Sequence, residues 1–221
     1  MKSDTHPIAA VVFDLDGVLT DTETIWDEVR RGLADEDGVP WPDGATEAMM
    51  GMSTPEWAHY LTSAVGIRGD AAERTLTAMA ARLQQHLPTL PGAVEAVQRL
   101  AARWPLGVAS SSARRLIDTS LATLGVADLI TVSVSTEEVA AGKPAPDGYV
   151  RACELLGVDP TTAVAIEDSS NGLRSASAAG LRVIAVPQEA FPPTPDALAL
   201  AVLTVESLDE VTVAAVAGLA R

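Results

Sequence analysis

Cysteine is almost missing. Cys153 is the only one in 221 residues, so no intramolecular disulfide can form and a disulfide-stapled extracellular scaffold is excluded. A reducing compartment, the cytoplasm, is the expected location. Positive charge is also scarce: 15 Lys plus Arg stand against 30 Asp plus Glu, a formal net charge of −15. That balance argues against a nucleic-acid or anionic-membrane surface. Long apolar runs are lacking too. The first, residues 8–13, is interrupted at once by Asp14 and Asp16 and is too short for a signal-peptide core. No later run approaches the roughly 20 apolar residues needed to span a bilayer. What is present, 48% hydrophobic and 20% charged residues, suits a globular chain with one core plus an insertion.

Residues 8–13 (IAAVVF) form a short, nearly continuous apolar run, the pattern of a strand covered on both faces of a parallel sheet. Similar runs recur at 106–109 (LGVA), 129–134 (LITVSV), 163–166 (AVAI) and 183–186 (VIAV), with 201–205 (AVLTV) as a sixth. Between them, 93–102 and 114–124 carry apolar residues three and four apart, the helical period. Alternation of strand and helix predicts an α/β fold, a Rossmann-like doubly wound parallel sheet. Residues 22–87 break the rhythm, because helical patterns dominate there and no strand-like run occurs. A core over 1–21 and 88–221 with an inserted α-helical cap domain over 22–87 is therefore expected. An insertion directly after the first strand lies beside that strand's carboxyl end, where open α/β sheets bind ligands.

Four segments carry chemistry. Asp14 and Asp16 emerge together from the first strand, and alternation aims both side chains the same way. Such a pair can ligate a divalent cation, attack phosphorus and exchange a proton with an attacking or leaving oxygen. Ser110, Ser111 and Ser112 follow the second strand and precede a helix, so their hydroxyls and N–H groups suit an anion cradle, with N-capping by Ser112 as the plainer role. Lys143, held between Gly142 and two prolines, is one of only two lysines in the chain, which marks it as a positioned ammonium. Glu167 and Asp168 end another apolar strand, where two acids are expensive unless a cation pairs with them. Oxygen-only ligands favour Mg²⁺.

In order and spacing, DLDGVLTDTE, VASSS, GKPAPDGY and IEDSSNG resemble the haloacid dehalogenase-like hydrolase superfamily, in its phosphatase and β-phosphoglucomutase-like branch with a helical cap. The resemblance covers nearly the whole chain. It implies Asp14 as a nucleophile that forms an aspartyl-phosphate and Asp16 as the acid and base. It also implies Mg²⁺ held by the Asp14 carboxylate, the Asp16 carbonyl and Asp168, with Glu167 adjacent or acting through water. Ser110, Ser111 and Lys143 would bind the phosphoryl oxygens, and the substrate would be a small phosphorylated metabolite. A monomer or weak dimer is expected.

Within the superfamily, Asp16 favours phosphoryl transfer over dehalogenation. A phosphonoacetaldehyde hydrolase would need a cap lysine, and none lies between Lys2 and Lys143. A β-phosphoglucomutase-like hexose phosphate mutase is the main alternative. Where that mutase carries cationic or imidazole groups, this chain aligns Trp26, Met50 and Thr54, which favours a phosphatase. Glu23, Trp26 and the loop 51–57 are candidates to face the site, with core packing the competing role for Trp26 and Trp57. Arg30 and Arg31 could meet an anionic substrate, but a solvated helix face is the favoured place for them, and His59 and His86 are expected on the surface or in packing.

Overall fold

The computed structural model describes residues 7–49, 52, 54–189 and 192–220. Its sheet has six parallel strands: β1 (Ala10–Phe13), β2 (Leu106–Ser110), β3 (Ile130–Ser135), β4 (Ala163–Glu167), β5 (Arg182–Ala185) and β6 (Leu203–Thr204). The spatial order is β3-β2-β1-β4-β5-β6. The chain builds outward from β1 on one side, then returns to its other side. This reversal leaves a crevice at the carboxyl ends of β1 and its neighbours. The expected runs shift by a residue or two, and the sixth shrinks to the edge pair Leu203–Thr204.

The continuous apolar character of the inner strands follows from burial on both faces, since every residue of β1, β2, β4 and β5 is buried. On one face Val11, Phe13, Val108 and Val164 pack against α5 (Ala93–Ala101) and α6 (Arg114–Thr123). On the other, Ala10, Val12, Ala109 and Ala165 pack against α7 (Asp147–Leu156) and α8 (Ser170–Ala178). Cys153 lies in that second layer as a buried free thiol, its pKa pushed up to about 11 by burial. Two short helices, α9 (Pro195–Leu198) and α10 (Val213–Ala217), follow near the end of the chain.

Between β1 and α5 lie α1 (Glu23–Asp37), α2 (Ala45–Met49), α3 (Thr54–Tyr60), a π turn over Leu61–Val65, and α4 (Ala71–Gln85). Gly38, in the left-handed region at φ 66°, ends α1, and the Asp70 side chain caps α4 by accepting from the Glu73 amide. These helices enclose an apolar cluster that includes Leu33, Met49, Trp57, Leu61 and Val65. A second cluster joins Ile25, Val29, Met79 and Leu83 to Ala113 and Leu116 at the start of α6. Arg115 of α6 also reaches Glu73 of α4 at 2.9 Å. The outgoing and returning segments pair through Asp21 N–H to the Pro88 carbonyl (3.0 Å) and Leu90 N–H to the Leu19 carbonyl (3.2 Å). Among the described residues no helix is long and apolar enough to cross a membrane.

Candidate active site

Strand register brings the chemistry together. Phe13 sits opposite Val108 in β2 and Ile166 in β4, so the next residue, Asp14, emerges beside Glu167 and near Ser110. Lys143, on the loop before α7, reaches into the same crevice. Its Nζ donates to Asp14 Oδ1 and to Glu167 Oε1, both at 2.6 Å, and all three side chains are buried. The Tyr149 hydroxyl donates to the same Glu167 oxygen at 2.8 Å. Glu167 Oε2 accepts from the Asp168 amide at 3.2 Å, which ties the strand end to the turn before α8.

Asp14, Glu167 and Asp168 each offer an oxygen within 4.8 Å of the others. Three carboxylates against one ammonium leave excess negative charge, and the protonation equilibria register it. Burial raises the Asp14 pKa to about 7, with Lys143 opposing and Glu167 adding to the rise. Burial, then Asp14 and Glu167, push Asp168 up to about 8. Burial works against the Lys143 ammonium, but the Asp14 and Glu167 charges outweigh it and hold its pKa above the ordinary value. The Tyr149 hydroxyl, buried beside Glu167, titrates well above its usual range. Asp168 Oδ1 is buried without a hydrogen-bond partner among the described residues. Clustered oxygen donors with one left unpartnered fit a hard divalent cation.

Asp16 is held separately. Its Oδ1 accepts from the Thr22 and Thr20 hydroxyls (2.7 and 3.2 Å), and its Oδ2 from the Ser112 hydroxyl at 2.6 Å. The plainer role for Ser112, capping the following helix, is not the one it takes: Ala113 occupies the N-cap of α6 without a side-chain cap bond. The hydroxyl is drawn to the carboxylate, a charge-assisted bond stronger than a neutral cap. Ser110 Oγ accepts from the Ser112 amide at 3.0 Å, and Ser111 stands exposed beside it.

A cavity of about 500 Å³ is lined by Asp14, Asp16, Glu23, Ser110, Ser111 and Lys143, among others. A smaller one, about 140 Å³, opens beside it and shares Asp16, Glu23 and Ser111, with Trp26, Arg30 and Trp57 on its walls. Trp57 is buried and Trp26 partly so, their rings edge to face at 5.7 Å, so both pack in the helical cluster and both line the cavity. Met50, Gly51 and Ser53 lie outside the described residues. His59 and His86 are exposed.

Arg30 departs from the expected solvated face. It is buried, with Cζ 4.6 Å from the Trp26 ring and 5.3 Å from that of Trp57. Burial lowers its pKa to about 10, with Glu23 and Asp27 opposing, so it remains charged at neutral pH. Helical period could have flagged it, since Arg30 lies four residues after Trp26 and so on the same face. Arg31, one residue on, is exposed and pairs with Asp27 at 2.6 Å.

A parallel doubly wound sheet with carboxylates and one ammonium gathered at its switch point defines an α/β enzyme whose chemistry sits at the carboxyl edge. The family model of the haloacid dehalogenase-like hydrolases matches residues 8–180, and the chain belongs to that family, with its curated relatives placing it in the phosphatase branch. It is 34% identical over 178 residues to validoxylamine A 7'-phosphate phosphatase of Streptomyces hygroscopicus subsp. limoneus, covering 77% of this chain and 81% of the relative. Identity to hexitol phosphatase B of Escherichia coli is 31% over 192 residues, or 84% and 86% of the two chains. Among solved structures, CbbY of Rhodobacter sphaeroides in complex with phosphate superposes with a TM-score of 0.83 at 26% identity, covering 96% of this chain and 100% of that one.

Proposed function

We propose that this chain is a Mg²⁺-dependent phosphatase that hydrolyses a small phosphorylated metabolite, of the sugar phosphate class, through an aspartyl-phosphate on Asp14. The observation that carries this reading is the Lys143 ammonium clasped between Asp14 and Glu167 at 2.6 Å, with the unpartnered Asp168 oxygen beside them. Fixed charges of both signs at the rim of a rigid sheet suit a reaction whose catalysis is mostly positioning and neutralisation.

In the first step an Asp14 carboxylate oxygen bonds to phosphorus as the bond to the leaving oxygen breaks, and Asp16 delivers a proton to that oxygen. In the second, Asp16 takes a proton from water as the water oxygen attacks phosphorus, which frees Asp14 and inorganic phosphate. Lys143, Ser110 and Ser111 bind the phosphoryl oxygens throughout. Mg²⁺ would be held by the Asp14 and Asp168 carboxylates and the Asp16 carbonyl, with Glu167 adjacent, and when bound it neutralises charge on the transferred group. Thr20, Thr22 and Ser112 orient Asp16.

Residues 22–87 act as a cap over a core of 1–21 and 88–221, with Glu23 and Trp26 toward the leaving group. The same reading assigns the enzyme to the cytoplasm, as a monomer or weak dimer. Among the described residues, Arg30 is the one cation on the smaller cavity, against Asp16 and Glu23. A second phosphate would meet net negative charge there, which favours a phosphatase over a β-phosphoglucomutase-like mutase.

The test is phosphate release from a panel of sugar phosphates, nucleotides and simple phosphate esters, with Mg²⁺ and with EDTA. Metal-dependent release by the wild type, abolished in Asp14→Asn, is expected. Wild-type turnover in Asp14→Asn would overturn the mechanism, and interconversion of hexose 1- and 6-phosphates without net release would favour the mutase.

A further inference from the structure

Arg30 is a buried cation with no described carboxylate in ion-pair contact, although the charges of Glu23 and Asp27 act on it from further off. It is 7% exposed, yet it makes no hydrogen bond or ion pair among the described residues, and its Nε is sealed from solvent without a partner. Trp26 and Trp57 both lie against its guanidinium, so cation–π contact holds the group in place. Arg30 also lines the smaller cavity, which opens its donors to a ligand there. A buried guanidinium held by stacking rather than by a carboxylate is poised to donate to something that arrives.

The position of the cavity says what arrives. Asp16 and Glu23 line both it and the larger cavity that holds Asp14, Ser110 and Lys143. A phosphoryl group on the larger side therefore directs its leaving group past Asp16 into the smaller one. There the leaving group meets an acceptor in Glu23, a donor in Arg30, and apolar walls from Trp26, Trp57, Met49 and Met52. A second anion would face two carboxylates for one cation. Adjacent hydroxyls suit the set, since one donates to Glu23 while its neighbour accepts from Arg30, and their carbon-bound hydrogens face the apolar walls.

We propose that Arg30, with Glu23 across the cavity, selects a neutral polyhydroxylated leaving group by hydrogen-bonding its neighbouring hydroxyls, which makes Arg30 the specificity-determining residue of this enzyme. The inference rests on the phosphatase reading above and adds to it the residue and the chemistry that choose the substrate.

The experiment compares kcat/KM of wild type, Arg30→Met and Glu23→Gln on three probes: a hexitol phosphate, p-nitrophenyl phosphate, and a hexose bisphosphate. The expected result is a fall of at least about tenfold in the ratio of hexitol phosphate to p-nitrophenyl phosphate kcat/KM, carried mainly by KM, in both variants. Thermal melting checks folding of Arg30→Met, and Glu23→Gln, at an exposed position, keeps the test open if that variant unfolds. An unchanged ratio in folded variants would overturn the inference alone. A loss confined to the bisphosphate would overturn it in favour of an anion subsite. A wild type inactive on all three probes would overturn the phosphatase reading and this inference with it.

Discussion

Gly17 and Asp168 approach so closely that a Cβ on the glycine would lie within the aspartate's carboxylate. The glycine also holds φ at +87°, a conformation L side chains rarely adopt, and the Gln188 side chain donates to its carbonyl at 2.8 Å. The turn after β1 and the turn after β4 are thus fitted to each other, which sets Asp168 beside Asp14. At Gly172 a Cβ would likewise collide with the Glu167 carboxylate.

Gly17→Ala is accordingly expected to remove activity rather than merely lower stability. The backbone conformation alone costs about 1 kcal/mol, and the methyl must also displace Asp168. Phosphate release and a melting curve measured on the same preparation check this. A folded variant with wild-type turnover would show that the close approach is not needed.

Ser112→Ala removes the donor to Asp16 Oδ2 while the Thr22 and Thr20 hydroxyls remain. One hydrogen bond to a charged group is worth about 1.5–3 kcal/mol, so kcat should fall by roughly ten- to a hundredfold with KM little altered. Steady-state kinetics decide it, and a change in KM alone would place Ser112 in substrate binding instead.

Lys143→Met leaves Asp14 and Glu167 buried without their shared cation. Breaking one partner from a buried ion pair costs about 3–5 kcal/mol, and the protein should be markedly less stable at neutral pH as well as inactive. The destabilisation should shrink toward about pH 5, where the Asp14 carboxyl, its pKa raised by burial, can take up a proton. Urea unfolding at both pH values tests this, and equal losses at the two would contradict it.

Metal dependence should follow the raised carboxyl pKa values. In the metal-free fold burial pushes Asp14 up to about 7 and Asp168 up to about 8, against an ordinary value of 3.8. Between those limits the folded state binds more protons than the unfolded chain, so stability falls as pH rises through this window. A cation that replaces those protons binds better at higher pH, and Mg²⁺ should raise Tm more at about pH 8 than at about pH 6. The same shift at both pH values would argue against carboxylate ligands.

The layout of the core was legible because burial on both sheet faces leaves continuous apolar runs, and β1, β2 and β4 fall within a residue or two of those runs. The edge was less so. β6 keeps only Leu203–Thr204, since an edge strand is bounded by pairing with one neighbour rather than by hydrophobicity. Asp14, Lys143, Glu167 and Asp168 could be picked out as charges abutting apolar runs or scarce in composition, and the fold brings them together. Arg30 was misread because adjacent residues of one helix diverge by about 100°: Arg31 faces Asp27 and solvent while Arg30 turns inward onto Trp26 and Trp57. Tyr149 stood in the sequence only as the end of GKPAPDGY with no role assigned, and Gln188 carried no signal, as each acts through a partner distant in the chain.

The amino-acid sequence by itself determined the α/β class, the helical insertion and the residue types of the site, since period, burial and the cost of unpaired charge act locally along a chain. Only the tertiary structure decided which groups meet. That Lys143 spans Asp14 and Glu167, that Ser112 reaches Asp16, and that Arg30 is buried against two tryptophans are consequences of strand order and helix packing. They depend on contacts between segments far apart in the chain, which no local pattern encodes.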